Sequence, residues 1–348
     1  MERGCTADTP AEIPALGWRD IAQRIWDRFF DEHVMLAAAG VAFFVIFSFV
    51  PAMAAFVALY GLAFNTGDVV AQFESISYLM PADVSTLLRD QLVQLTSTPD
   101  KELGIAAAIA FAIAIFSASS ATKGVIEGLN IVYDEHEKRS WWFLSVAAMI
   151  LTVAGLVSII AFLVGSVFLP KILEWAGVHS AVLPVVLSYA FLAAFLLVEL
   201  AAVYRWAPSR SEARFVWIAP GSLLAVALLL AFSASFAWFV RTFAAYDAYG
   251  SLSVVVATMT WLWVSLVIVL LGAQINAEAE HQTAKDSTTG PPLPLGARGA
   301  VMADTVGEPA DLPVKRQAAR TSQAEIALVI ALSSAAAGLL WWQFSDRR

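Results

Sequence analysis

WWFLSVAAMILTVAGLVSIIAFLVGSVFL, residues 141–169, holds no ionisable side chain and is closed by Pro170 and Lys171. A helix rises 1.5 Å per residue, so about 20 apolar residues match the ~30 Å hydrocarbon core of a bilayer. Within a helix the backbone donors and acceptors satisfy one another, as hydrocarbon requires. The run predicts a transmembrane helix longer than one perpendicular crossing, and hence tilted.

Comparable runs lie on both sides of it. They cover 35–64 and 104–121 before it, and 183–204, 215–240 and 252–273 after it. The expected fold is all-α: a polytopic transmembrane bundle of six core spans over 34–280. A last apolar run, 326–344, is a candidate seventh span within 324–348. Composition agrees: 59% of the 348 residues are hydrophobic and 14% charged, against about 25% charged in soluble domains. Residues 1–33 read as a leader with an interfacial amphipathic helix, Trp18, Ile21, Ile25 and Phe29 forming its apolar face. Residues 281–323, rich in Pro, Gly, Ala and charge, read as a disordered linker.

Several residues have structural readings. Pro51 should kink the first span. Ala106, Ala110, Ala114 and Ala118 stack four apart on the second, so that a neighbouring backbone can approach. Pro220 is tolerated in the first turn of the fifth, and Gly250 suits a tight turn before the sixth. The acidic loop 65–102 reads as a short helical hairpin.

Lysine and arginine counts set the orientation. Arg3, Arg19, Arg24, Arg28, Lys123, Lys138, Arg139, Arg205, Arg210, Arg214, Lys285, Arg298, Lys315, Arg316 and Arg320 fall on one side. Only Arg89, Lys101, Lys171 and Arg241 fall on the other, which predicts a cytoplasmic N-terminus. Trp141, Trp142, Trp206 and Trp217 then belong at the cytoplasmic interface.

No soluble-enzyme motif is present, and the four histidines are too scattered for metal-ligand spacing. Neither a metal nor a cofactor is expected. A net charge of −8 argues against a nucleic-acid surface. The one cysteine, Cys5, can form no internal disulfide. The expected partners are membrane lipids, with a homo-oligomer left open.

Polar residues in or beside the spans are the candidates for function, because a charge in hydrocarbon costs about 2.5–3.5 kcal/mol even on insertion scales. Glu199 lies inside the fourth span, as a substrate or proton contact or as an ion pair with Arg205. Lys123, Glu127 and Asn130 follow the second, with Lys123 and Glu127 spaced to pair. Gln274, Asn276, Glu278 and Glu280 follow the sixth, where acids oppose the helix dipole. Lys123, Arg205 and Arg210 are their candidate partners; a solvated acidic end is the alternative.

The stretch AGVAFFVIFSFVP (39–51) resembles the first-span signature of the YihY/BrkB family of bacterial inner-membrane proteins. GLNIVY (128–133), YRWAP (204–208), Pro220-Gly221, YGSL (249–252) and LGAQINAE (271–278) follow in the order expected of that family. Gln274 departs from it where a glutamate is expected, and Ser253 where glycine is usual. Members have been labelled ribonuclease BN and also virulence or serum-resistance factors. Cutting RNA by a metal route needs clustered ligands and a cationic surface, which this sequence lacks. The resemblance implies an envelope role, such as movement of a lipid or other amphiphile. Ser117, Ser119, Ser120, Thr122, Thr258 and Thr260 could line a modest polar path. A non-transporting scaffold that recruits partners through its cytoplasmic ends is the alternative, and a membrane enzyme ranks third.

Overall fold

The structure is a computed structural model. It describes residues 3–31, 34–63, 100–175, 182–243 and 252–309. Among these the fold is all-α, without a named strand. α1 spans Ala15–Asp31 and α2 Val34–Ala63, with α3 at Asp100–Val132. Next come α4 Trp141–Trp175, α5 Leu183–Trp206, α6 Phe215–Phe243 and α7 Leu252–His281; a single turn, α8, covers Val301–Asp304. α4, α5, α6 and α7 are each long and apolar enough to cross a membrane. The α1–α2 pair, bent by 64°, passes the same test jointly, giving up to five such spans. The hairpin read at 65–102, Gly250 and the run 326–344 lie wholly or mostly outside the described residues.

The long helices contact one another in chain order from α2 to α7, and α7 returns to α2, closing a ring. Burial is confined to one end of that ring. Leu129 of α3, Leu200 of α5, Val226 of α6 and Leu270 of α7 meet there in an apolar floor. Away from it, no described side chain is buried over 153–175, 183–199, 227–243 or 255–269. Helices that touch both neighbours would bury their inward faces if the ring were filled. In this half the described side chains of α4 to α7 are half-buried or exposed.

Three expectations change here. The apolar face of α1 does not lie on a membrane: Trp18, Ile21 and Ile25 pack with Ile13, Trp217 and Ala279, and Phe29 packs on the main core. Helical spacing reveals an apolar stripe but not what covers it. Trp217, expected at the interface, is only 1% exposed in that cluster. The reading of 281–323 as disordered fails over 281–309. Arg298 is buried and donates to the carbonyls of Ala284, Lys285, Leu293 and Ala303. One guanidinium gathering four carbonyls orders a chain that has little apolar surface to bury.

α3 also runs past the expected end of its span, so Lys123, Glu127 and Asn130 are helical. Of its alanine stripe, Ala118 is half-buried, and the side chains at 106, 110 and 114 lie outside the described set. α2 contains Pro51 in its interior. Pro220 sits within α6 rather than in its first turn.

Candidate functional site

The last two turns of α7 are enclosed at the closed end of the ring. Gln274, Asn276, Glu278 and Glu280 are all 0% exposed, so the solvated-end alternative does not hold. At 100° per residue, Gln274 and Glu278 share one face and Asn276 and Glu280 the opposite one. Each face meets a different neighbour.

Glu278 faces α1. Its Oε2 accepts from Arg24 Nε at 2.6 Å and its Oε1 from Arg28 Nη1 at 2.9 Å. Arg24 also donates to Gln282 Oε1 at 2.7 Å. His281 Nδ1 lies 3.5 Å from the same carboxylate. Arg24 and Arg28 are four apart, one turn of α1, so a single carboxylate can bridge both.

Glu280 faces the α5–α6 loop. Arg210 grips it with two nitrogens, at 3.1 and 2.6 Å, and Ser287 Oγ donates to it at 2.6 Å. The guanidinium lies 4.7 Å from the Tyr133 ring centroid. Burial disfavours charge on Arg210, but Glu280 outweighs it and raises its pKa. Burial likewise pushes the Tyr133 hydroxyl upward.

Acids at a helix C-terminus oppose its dipole, and buried charges are costly unless paired. Three arginines meet both conditions. Of the expected partners only Arg210 serves, and Arg24 and Arg28 of α1 supply the other two. Arg205 instead bonds Glu212 at 2.8 Å and the carbonyl of Ala213. Glu199, half-buried, makes no ion pair with it. Lys123 and Glu127 do not pair either: the ammonium lies 5.6 Å from the Trp141 ring, and Glu127 is exposed.

Asn130 is a clamp. Its Nδ2 donates to Glu137 Oε2 at 3.0 Å, and its Oδ1 accepts from the Ser209 amide at 2.8 Å. This joins the α3–α4 turn to the α5–α6 loop. Desolvation pushes the Glu137 pKa up, but bonds from Arg139 and Asn130 prevail and bring it down to about 2. Asn276 is a brace: its Oδ1 accepts from the Gly221 amide at 2.7 Å, next to Pro220, which has no N–H to give. Gln274 differs, since both its amide atoms are buried without a partner among the described residues. The hydroxyls of Ser119, Ser120, Thr122 and Thr260 bond back to their own helices. No group of three or more metal-ligating side chains occurs among the described residues.

The fold and the site define a helical integral membrane protein, its helices sealed at one end by buried ion pairs. The family model described as Virulence factor BrkB matches residues 25–294, and the chain belongs to that family. The ribonuclease-like protein YfkH of Bacillus subtilis is 28% identical over 258 residues, covering 69% of this chain and 88% of its own. A UPF0761 membrane protein of Vibrio cholerae El Tor is 27% identical over 281 residues, covering 76% and 89%. No solved structure matches.

Proposed function

We propose that this chain is an inner-membrane transporter or flippase-like protein of the bacterial envelope that moves a lipid or other amphiphile. The observation that supports this reading is the contrast along the ring, which has an apolar floor at one end and no buried described side chain in the other half of α4 to α7. A space opening there between apolar helices would suit acyl chains better than ions. In this reading the closed end faces the cytoplasm, as the count of basic residues requires, and six spans make up the ring. The pairs Glu278–Arg24/Arg28 and Glu280–Arg210 then act as the inner gate, and Gln274, without a partner among the described residues, is a substrate or gating contact. The chain is not an enzyme in this account, and the ribonuclease-like name stays with its relative.

A scaffold is the second reading, favoured by the folded platform that 3–14 and 282–309 make against the end of α7. Proteoliposomes holding a fluorescent headgroup-labelled phospholipid separate the two. Wild-type protein should speed the loss of protected label on dithionite addition, and Glu278→Gln should change that rate. Rates equal to empty liposomes, with the protein fully inserted, would favour the scaffold.

A further inference from the structure

At the closed end Arg24, Arg28, Lys138, Arg139, Arg205 and Arg210 each meet a carboxylate at 2.6–2.9 Å. Lys123 does not. Its ammonium lies 5.6 Å from the Trp141 ring centroid, with no carboxylate among the described residues in bonding reach. Glu127, one turn further along α3, is exposed and does not close on it.

Trp141 and Trp142 are 71% and 67% exposed, their rings 6.2 Å apart. At this end of the ring inward-facing side chains are buried, so exposure of that degree places both indoles on the outer surface. Exposed indoles at the end of a membrane-crossing helix belong to the headgroup layer. The Lys123 ammonium therefore sits at headgroup depth.

The elements carrying these groups are fixed. A Cβ at Gly124 would lie 2.9 Å from Val41 Cγ2, so α3 is seated closely on α2. Thr122 and Thr152 share a hydrogen bond of 2.7 Å that ties α3 to α4. An aromatic-backed cation without a carboxylate partner among the described residues, held between packed helices, is complementary to a phosphodiester. The chain's own charge of −8 makes such a point stand out to an anionic lipid.

We propose that Lys123, Trp141 and Trp142 form a binding site for the headgroup of an anionic phospholipid in the leaflet at the closed end. The site is outside the ring, so it does not depend on the transport reading. One lysine at an anionic surface gives a preference of roughly five-fold. The test is native mass spectrometry of the full chain released from nanodiscs of mixed phosphatidylcholine and phosphatidylglycerol. Wild type should retain phosphatidylglycerol by about that factor. Lys123→Gln should lose one retained molecule, and Trp141→Leu should weaken its retention. Lys123→Arg, which keeps the charge beside the indoles, should behave as wild type. Inorganic phosphate should not compete, because it lacks the acyl chains held beside the indoles. Equal retention by Lys123→Gln, no preference in wild type, or displacement by inorganic phosphate would each overturn the proposal.

Discussion

Gln274 stands where its family resemblance calls for glutamate, at 0% exposure and with both amide atoms unpaired among the described residues. No arginine reaches it, and a carboxylate there would be a buried charge with no counterion, far more costly than an amide. Gln274→Leu, of similar volume, should raise stability by about 1–2 kcal/mol because it removes an unsatisfied group. If the amide serves transport, the same change should slow dithionite access in proteoliposomes. Glu280 gives the opposite case. Glu280→Gln leaves Arg210, whose side chain is 2% exposed, without its charge partner. The expected loss is about 3–5 kcal/mol in thermal unfolding, and replacing both partners by apolar residues should recover most of it. Glu137 predicts a pH dependence. Its folded pKa of about 2 lies below the ordinary 4.5, so its contribution is complete above about pH 4.5. That contribution fades as pH falls toward 2, and Arg139→Gln should flatten the acid limb of a melting-temperature profile.

Among the elements, α6 and α7 meet through two glycines. A Cβ at Gly221 would fall against the Gly272 carbonyl oxygen, and one at Gly272 would lie 2.7 Å from both Ala225 Cβ and the Gly221 carbonyl oxygen. Backbone blocks both positions, and the approach at Gly221 is the closer, so Gly221→Ala should cost more than Gly272→Ala. Both should exceed the roughly 1–3 kcal/mol typical of overpacking, read as loss of folded protein in detergent. Nothing in the sequence marked this contact, since Pro220-Gly221 entered only as a family motif. The crossing helices themselves were legible: a long uncharged run needs no distant partner to declare its solvent. The paired acids of α7 were half legible. Their conflict with the helix dipole pointed to partners, but Arg24 and Glu278 are 254 residues apart and only the fold joins them. The ordering of 281–309 was hidden for another reason. It rests on Arg298 and on backbone bonds, and neither leaves an apolar pattern to read.

At the scale of the whole molecule, the termini of the membrane domain work together. Gln282 Nε2 donates to the Arg3 carbonyl at 2.6 Å, and the Ala284 amide donates to the Cys5 carbonyl at 2.8 Å. The N-terminal segment and the chain after α7 therefore hold one another over the ion pairs. Deleting 283–309 should lower the melting temperature of the remaining domain, because Ser287 and its backbone bonds go with it. In the proposed transport function the ring is sealed at the cytoplasmic end and accessible from the other. Single cysteines in a Cys5→Ser background, treated in intact cells with a membrane-impermeant maleimide, test it directly. Ala190→Cys and Thr260→Cys, on the inward faces of α5 and α7 by helical spacing, should label, while Ala273→Cys at the floor should not. Labelling of Ala273→Cys from outside, or none at either of the other two, would contradict it.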